Sequence, residues 1–292
     1  MRTSDVFDFV LLALLWGMSF LFMRVAVPEF GPVSLMLLRC GFGAITLLVI
    51  LRLHGGFDDL WRNIRVTSFT GVINSAIPFV LLAIAAISLT TGTLSVLNAT
   101  APFWGALVGY FWLGERLTAQ QVAGLVIGFI GVFVLAVSGP SDVGVSTGAS
   151  MLAMAAALGA TFAYGVAANF AKRYLSNDNA LANATGSQIG ATVVLLIPGI
   201  VMWPAVMPGI NAWLSIILLG VFSTGIAYIL FFRLIKNLGP TRAITVTFLI
   251  PVFGTFFGWL ILNETVNMLM VLGAIIVIAG CSLTIKLVEI AK

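Results

Sequence analysis

Apolar runs of about 20 residues recur along the whole chain, each long enough to cross ~30 Å of hydrocarbon at ~1.5 Å of rise per residue. Ten are legible between polar or Pro/Gly breaks. They lie near Phe7 to Val27, Val33 to Leu51, Val66 to Ile87, Thr91 to Leu113, Ala119 to Val137, Ala149 to Lys172, Ala180 to Trp203, Ala212 to Ile235, Thr241 to Leu262, and Met268 to Val288. The runs are continuous rather than alternating and about twice as long as a tilted barrel strand, so helices are the form in which this backbone satisfies itself in lipid. With 61% hydrophobic and 8% charged residues over 292 positions, nothing is left over for a soluble domain. The first run is too long for a secretory leader and lacks a small-residue cleavage site, so it is expected to be a true span. The expected class is an all-α integral membrane protein.

Charge placement orients the spans, because Lys and Arg collect in short cytoplasmic loops. Arg2, Arg52, Arg62, Arg65, Arg116, Lys172, Arg173, Arg233, Lys236, Arg242, Lys286 and Lys292 fall at the N-terminus and in alternate loops. The opposite loops, Pro28 to Pro32, Ser88 to Thr90, Ser138 to Gly148, Pro204 to Asn211 and Asn263 to Asn267, hold neither Lys nor Arg. Both termini are therefore expected in the cytoplasm. This loop-by-loop distribution accounts for the net charge of +4 without a nucleic-acid partner, whose basic patch would gather on one surface. Cys40 and Cys281 fall inside apolar runs and suggest neither a disulfide framework nor a metal site.

An internal repeat is the next constraint. A shift of 149 residues sets Gly71 on Gly220, Pro102 on Pro251, Gly105 on Gly254, Gly109 on Gly258, Glu115 on Glu264, Gly124 on Gly273 and Gly131 on Gly280. A shift of 148 sets Trp16-Gly17 on Tyr164-Gly165 and Arg24 on Lys172. The division runs 1–139 and 140–292, five spans each. An odd number of spans makes the second half enter the membrane from the opposite side, so the expected architecture is a five-plus-five inverted repeat with a pseudo-two-fold axis in the membrane plane. That is the architecture of alternating access, and it points to a small-molecule transporter.

The stretch Pro102-Phe-Trp-Gly-Ala-Leu-Val-Gly-Tyr-Phe-Trp-Leu-Gly-Glu115-Arg-Leu-Thr118, followed by Gln121 and Gly124 to Gly131, resembles the signature of EamA-type drug/metabolite transporters. Pro251 through Glu264 to Gly280 repeats it, and Trp16-Gly17 and Leu38-Arg39 also fit the pattern. Within that family the chain is most similar to the YddG-type aromatic amino acid exporters. The resemblance implies ten helices, a central substrate cavity and export of amino acids or other small metabolites across a bacterial inner (plasma) membrane. One departure stands out: the Gly-Glu of the first half is Asn263-Glu264 in the second, which puts the tight turn there in question.

Few polar groups lie at membrane depth. Arg39 is too costly to face lipid, at least ~2.5 to 3.5 kcal/mol on insertion scales, so it should face the interior or a wet cavity, bound to a substrate carboxylate or to a neighbour's carbonyls. Arg24, nearer the external end, reads as a snorkelling anchor. Asn74, Asn98 and Gln188 both donate and accept, which suits a zwitterion or, equally, interhelical bonding. Trp16 and its mate Tyr164, and Phe79 with its mate Tyr228, are mid-depth aromatics that can line a cavity or pack in the core. Pro102 and Pro251 are expected to kink their helices near the middle. Glu115 and Glu264 lie at helix ends, just before N-caps at Thr118, where Gln121 completes a capping box, and at Asn267. They read as loop-and-cap residues, or as gates that hold a closed face by pairing with a base such as Arg116 or with backbone amides.

No Asp or Glu falls in any expected helix middle, Asp5, Asp8, Glu29, Asp58, Asp59, Asp142, Asp178 and Glu289 all reading as loops, tails or ends. A carboxylate at depth is the usual carrier of ion coupling, so facilitated transport is expected over ion-driven antiport. An integral membrane enzyme finds little chemistry here. His54 stands without a motif, Asp58-Asp59 lacks a further acidic partner, and no Gly-rich loop precedes a Lys. No cofactor is implied. A channel would need a carbonyl filter or charged rings. Export of drugs or nucleosides, or a nucleotide-sugar carrier with several deep cations, stands as the alternative; the oligomeric state is left open.

Overall fold

Helices that are apolar all round belong either in a large core or in lipid, and this chain builds little else. The computed structural model describes residues 3–137, 147–175, 179–238 and 243–284, and every regular element among them is helical. In chain order these are α1 Thr3–Phe30, α2 Pro32–His54, α3 Phe57–Ala86, α4 in two pieces Thr91–Asn98 and Ala101–Leu113, and α5 Ala119–Val137. There follow α6 Thr147–Tyr174, α7 Ala180–Val201, α8 Ile210–Leu238, α9 as a 3₁₀ turn Ile244–Phe248 running into Ile250–Leu262, and α10 Met268–Thr284. Six of them, α1, α2, α3, α6, α7 and α8, are long and apolar enough to cross a membrane, and α5, α9 and α10 are shorter apolar helices. The repeat boundary at 139–140, the basic residues Arg2, Arg242, Lys286 and Lys292, and the acids Asp142, Asp178 and Glu289 lie outside the described residues.

The outward surface departs from that of a water-soluble fold, while the interior is an apolar core that also holds scattered polar residues. Outward faces carry large apolar groups such as Ile45, Phe111, Phe133, Leu152, Ile197 and Val201, while Thr67, Ser75, Thr91, Thr161 and Gln188 are buried. Small and polar residues inside let rods approach closely where lipid offers no hydrophobic drive for helix association. α5 lies along α10 on a glycine seam, where a Cβ on Gly280 would stand 2.5 Å from the Gly128 nitrogen.

Packing is doubled across the chain. α2 meets α7, the first piece of α4 meets α9, and α5 meets α10. The remaining contacts come in matched couples: α3 on α7 with α8 on α2, α6 on α3 with α1 on α8, and α6 on α4 with α1 on α9.

Local signals set the ends. Thr118 and Gln121 form the capping box, the Thr118 nitrogen donating to Gln121 Oε1 at 3.0 Å and the Gln121 nitrogen to Thr118 Oγ1 at 3.3 Å. Asn267 caps α10 by accepting from the Met270 nitrogen at 2.7 Å. Gly114 ends α4 at φ 69° and Asn263 ends α9 at φ 54°, so the turn survives the missing glycine because asparagine also tolerates the left-handed region.

Two sequence expectations change. Pro102 and Pro251 do not kink continuous helices; each stands in the first turn of a fresh segment, after a break at Ala99–Thr100 or a 3₁₀ turn, where its missing N–H costs nothing. α3 also begins nine residues before the apolar run, because the amphipathic stretch from Phe57 is helical too.

Candidate functional site

Two π turns interrupt the rods α3 and α8, at Val72–Ala76 and Val221–Ile226. They stand at the repeat shift from one another, and π turns inside helices recur at functional sites. Each follows a glycine required by close approach: a Cβ on Gly71 would lie 1.9 Å from the Ser187 carbonyl oxygen, and one on Gly220 would lie 2.5 Å from Phe42 Cβ. α3 therefore touches α7, and α8 touches α2, at near-backbone distance beside the turns.

Each turn presents a hydroxyl to a long polar side chain of the other half. Arg39 Nε donates to Thr224 Oγ1 at 3.1 Å, and Gln188 Nε2 donates to Ser75 Oγ at 2.9 Å. The 149-residue shift relates Arg39 to Gln188 and Ser75 to Thr224, so these two bonds are symmetry mates.

Arg39 is 6% exposed, and its guanidinium carbon stands 3.7 Å from the centroid of the Phe79 ring. A desolvated cation–π contact of this kind is worth about 2 kcal/mol or more, which offsets much of the ~2.5 to 3.5 kcal/mol insertion cost of a deep arginine. The Tyr164 and Tyr228 hydroxyls and the Cys40 thiol lie within its electrostatic reach. Among the described residues no carboxylate pairs with Arg39, and its Nη groups have no hydrogen-bond partner.

Aromatic rings continue from this centre. Tyr228 receives a long 3.4 Å bond from Asn74 Nδ2 and stacks on Phe232 with centroids 5.9 Å apart. Phe232 adjoins Phe231, which meets Trp16 at 5.2 Å. Arg39, Asn74, Phe79, Gln188 and Tyr228 are thus gathered into one network, with Tyr164 in reach and Trp16 at its aromatic end. Asn98 stands apart, half-buried where the first piece of α4 stops, with no side-chain hydrogen bond among the described residues.

The two glutamates differ. Glu264 is 8% exposed, and its Oε1 accepts from both the nitrogen and Oγ1 of Thr91 at 2.9 Å, at the start of α4. Its Oε2 occupies the space over Gly258, where a Cβ would be 2.2 Å away. Burial pushes this carboxyl above its ordinary range, against the opposing effect of the Thr91 bonds and the Arg24 charge. Glu115 has an exposed side chain, 45%, paired with Lys172 rather than with Arg116. Arg24, the repeat mate of Lys172, ties α1 to the end of α3 by donating to the Ala86 and Ile87 carbonyls at 2.6 and 2.7 Å.

Ser75 and Thr224 are site residues that residue-type reasoning passed over, since buried hydroxyls are common in membrane helices; the repeat shift itself pairs them. Asn169 is another, its Nδ2 donating to the Gly105 and Gly165 carbonyls at 2.9 Å and tying α6 to α4. Asp8 is buried in α1, 3.2 Å from Arg233, rather than lying in a solvated tail.

A bundle of long apolar helices around a buried cationic and aromatic centre defines a multi-pass integral membrane transport protein. The model of the EamA-like transporter family matches residues 6–137 and again residues 151–286, and the chain belongs to that family. A probable terminal-alkyne amino-acid exporter of Streptantibioticus cattleyicolor is 25% identical, over 96% of this chain and 93% of that protein. An S-adenosylmethionine/S-adenosylhomocysteine transporter of Chlamydia trachomatis is 24% identical, over 95% of this chain and 88% of that protein. A solved crystal structure shares the fold with a TM-score of 0.67 over 100% of both chains, at 19% identity.

Proposed function

We propose that this chain exports amino acids, aromatic ones among them, across a bacterial inner membrane by alternating access. The observation that carries the reading is Arg39, a buried cation without a carboxylate partner among the described residues, resting on Phe79 and bonded only to the Thr224 hydroxyl. A deep charge left unpaired by the protein is one that cargo can pair. A carboxylate meets the guanidinium through two N–H groups at once, and the rings of Trp16, Phe79, Tyr164 and Tyr228 offer an apolar wall to the rest of the molecule. Asn74 completes the proposed cavity as a neutral partner.

The transport cycle rests on the repeat. Ten spans in two inverted halves, with both termini cytoplasmic, make the inward-open and outward-open forms an exchange of the two halves' roles. The doubled packing and the matched π turns support that symmetry. Glu264, held on the start of α4, acts as the outer gate, and Glu115 is its counterpart on the cytoplasmic side. The breaks ahead of Pro102 and Pro251 are the joints about which the helix pieces change tilt. No buried carboxylate stands beside Arg39 among the described residues, which supports facilitated transport over ion-driven antiport.

The relatives' names fit this reading. One cargo is an amino acid, and S-adenosylmethionine carries an amino-acid head group on a nucleoside. Calorimetric titration of the purified protein with phenylalanine tests the reading: saturable binding is expected, and Arg39→Gln should weaken it by at least about tenfold in protein that still folds. Equal binding by the variant would remove Arg39 from the site.

A further inference from the structure

The two halves place different chemistry at matched positions. Where α2 carries Arg39, α7 carries Gln188, and both reach a hydroxyl in the opposite π turn. Gln188 is fully buried at 0% exposure. Its amide nitrogen is committed to Ser75, while Oε1 has no donor. Buried acceptors are seldom left this way in native structures, and an unexplained one marks a place where something else donates.

The amide is linked to the cationic centre. Asn74, next to Ser75 in the same π turn, reaches the Tyr228 hydroxyl, which lies within electrostatic reach of Arg39. The Asn74 contact, at 3.4 Å, is at the weak end of hydrogen-bond length and yields easily to an entering polar group.

We propose that Gln188 Oε1 accepts a hydrogen bond from the ammonium group of an α-amino acid whose carboxylate lies on Arg39, so that the carrier selects zwitterions. This rests on the reading of the site as an amino-acid carrier and assigns its second polar contact. An ammonium has only donors and needs an oxygen acceptor; Gln188 holds a spare one, with the Ser75 oxygen bonded to the same amide. A neutral acceptor is the appropriate type. A glutamate in this network would pair with Arg39 and consume the charge meant for the cargo, whereas glutamine leaves that charge free and accepts the ammonium through its dipole. Ser75 acts as a positioning residue that fixes which way the amide points.

The test compares three ligands on the purified full chain: phenylalanine, 3-phenylpropanoate, which lacks the amino group, and 2-phenylethylamine, which lacks the carboxylate. Wild-type protein should prefer phenylalanine to each analogue by at least about tenfold. Gln188→Leu should lose at least about tenfold in phenylalanine affinity and keep its affinity for 3-phenylpropanoate, so that discrimination at the amino group collapses. Ser75→Ala should produce a smaller loss with the same selectivity. A Gln188→Leu protein that still discriminates, or that loses both ligands equally, overturns the assignment. If the variants fail to fold, wild type alone decides, since equal affinity for phenylalanine and 3-phenylpropanoate overturns it. Wild type that binds none of the three would instead fell the amino-acid reading itself.

Discussion

Asn263 shows how one residue carries a turn that glycine usually makes. Its backbone sits at φ 54°, as Gly114 sits at φ 69° in the matching turn, and Glu264 follows it directly into the contact with Thr91. Asn263→Gly should be neutral or slightly stabilising, whereas Asn263→Val places a β-branched side chain where it clashes and should cost about 1 kcal/mol or more. Thermal melts of the two variants check this; a valine variant as stable as wild type would contradict the turn's role. Residue-level reading went furthest where chemistry is scarce. Arg39 was legible as a site candidate because a deep arginine is expensive anywhere else. Ser75 and Thr224 were not, because serine and threonine at depth serve ordinary helix contacts as readily as a site. Asp8 was missed for a different reason: near a chain end a carboxylate reads as solvated, and only the packing of α1 against α8 brings Arg233 to it.

At the element scale, the first piece of α4 and the end of α9 are joined by Glu264, while the matching glutamate on the other side is exposed and paired to Lys172. This asymmetry fits a form closed at the Glu264 end. Burial raises the Glu264 carboxyl in the closed form, and an opened gate would return it to the ordinary carboxylate range, with Arg24 the charged group that acts on it. The closed form therefore binds the proton more readily. Lowering the external pH from above the raised value toward the ordinary range should favour closure, and raising it should favour opening. Distances between spin labels at the outer ends of α4 and α9, measured across that range, check the sign; Glu264→Gln should abolish the pH dependence, and opening in acid would contradict the account. Helix existence was legible from apolar runs, and the capping residues from local spacing. The π turns were not, since no residue type announces them, and the prolines misled because their position was read as mid-helix when the chain breaks just before each one.

For the whole molecule, the repeat was the most informative feature in the sequence, because it related positions that no local pattern connects. It linked Trp16 to Tyr164 at a shift of 148 and Phe79 to Tyr228 at 149, and the shift of 149 also carries Arg39 onto Gln188. It could not reveal that Glu264 is buried on Thr91 while Glu115 is exposed and paired with Lys172, since that depends on how the helix ends pack and not on composition. The central claim is a facilitative amino-acid carrier centred on Arg39. Uptake of labelled phenylalanine into liposomes containing the purified protein, with and without imposed pH, sodium and voltage gradients, tests it most directly. Saturable uptake that no gradient drives beyond equilibration, and that is lost in Arg39→Gln, is the predicted result. Uptake driven by a gradient, or uptake indifferent to Arg39, would contradict it.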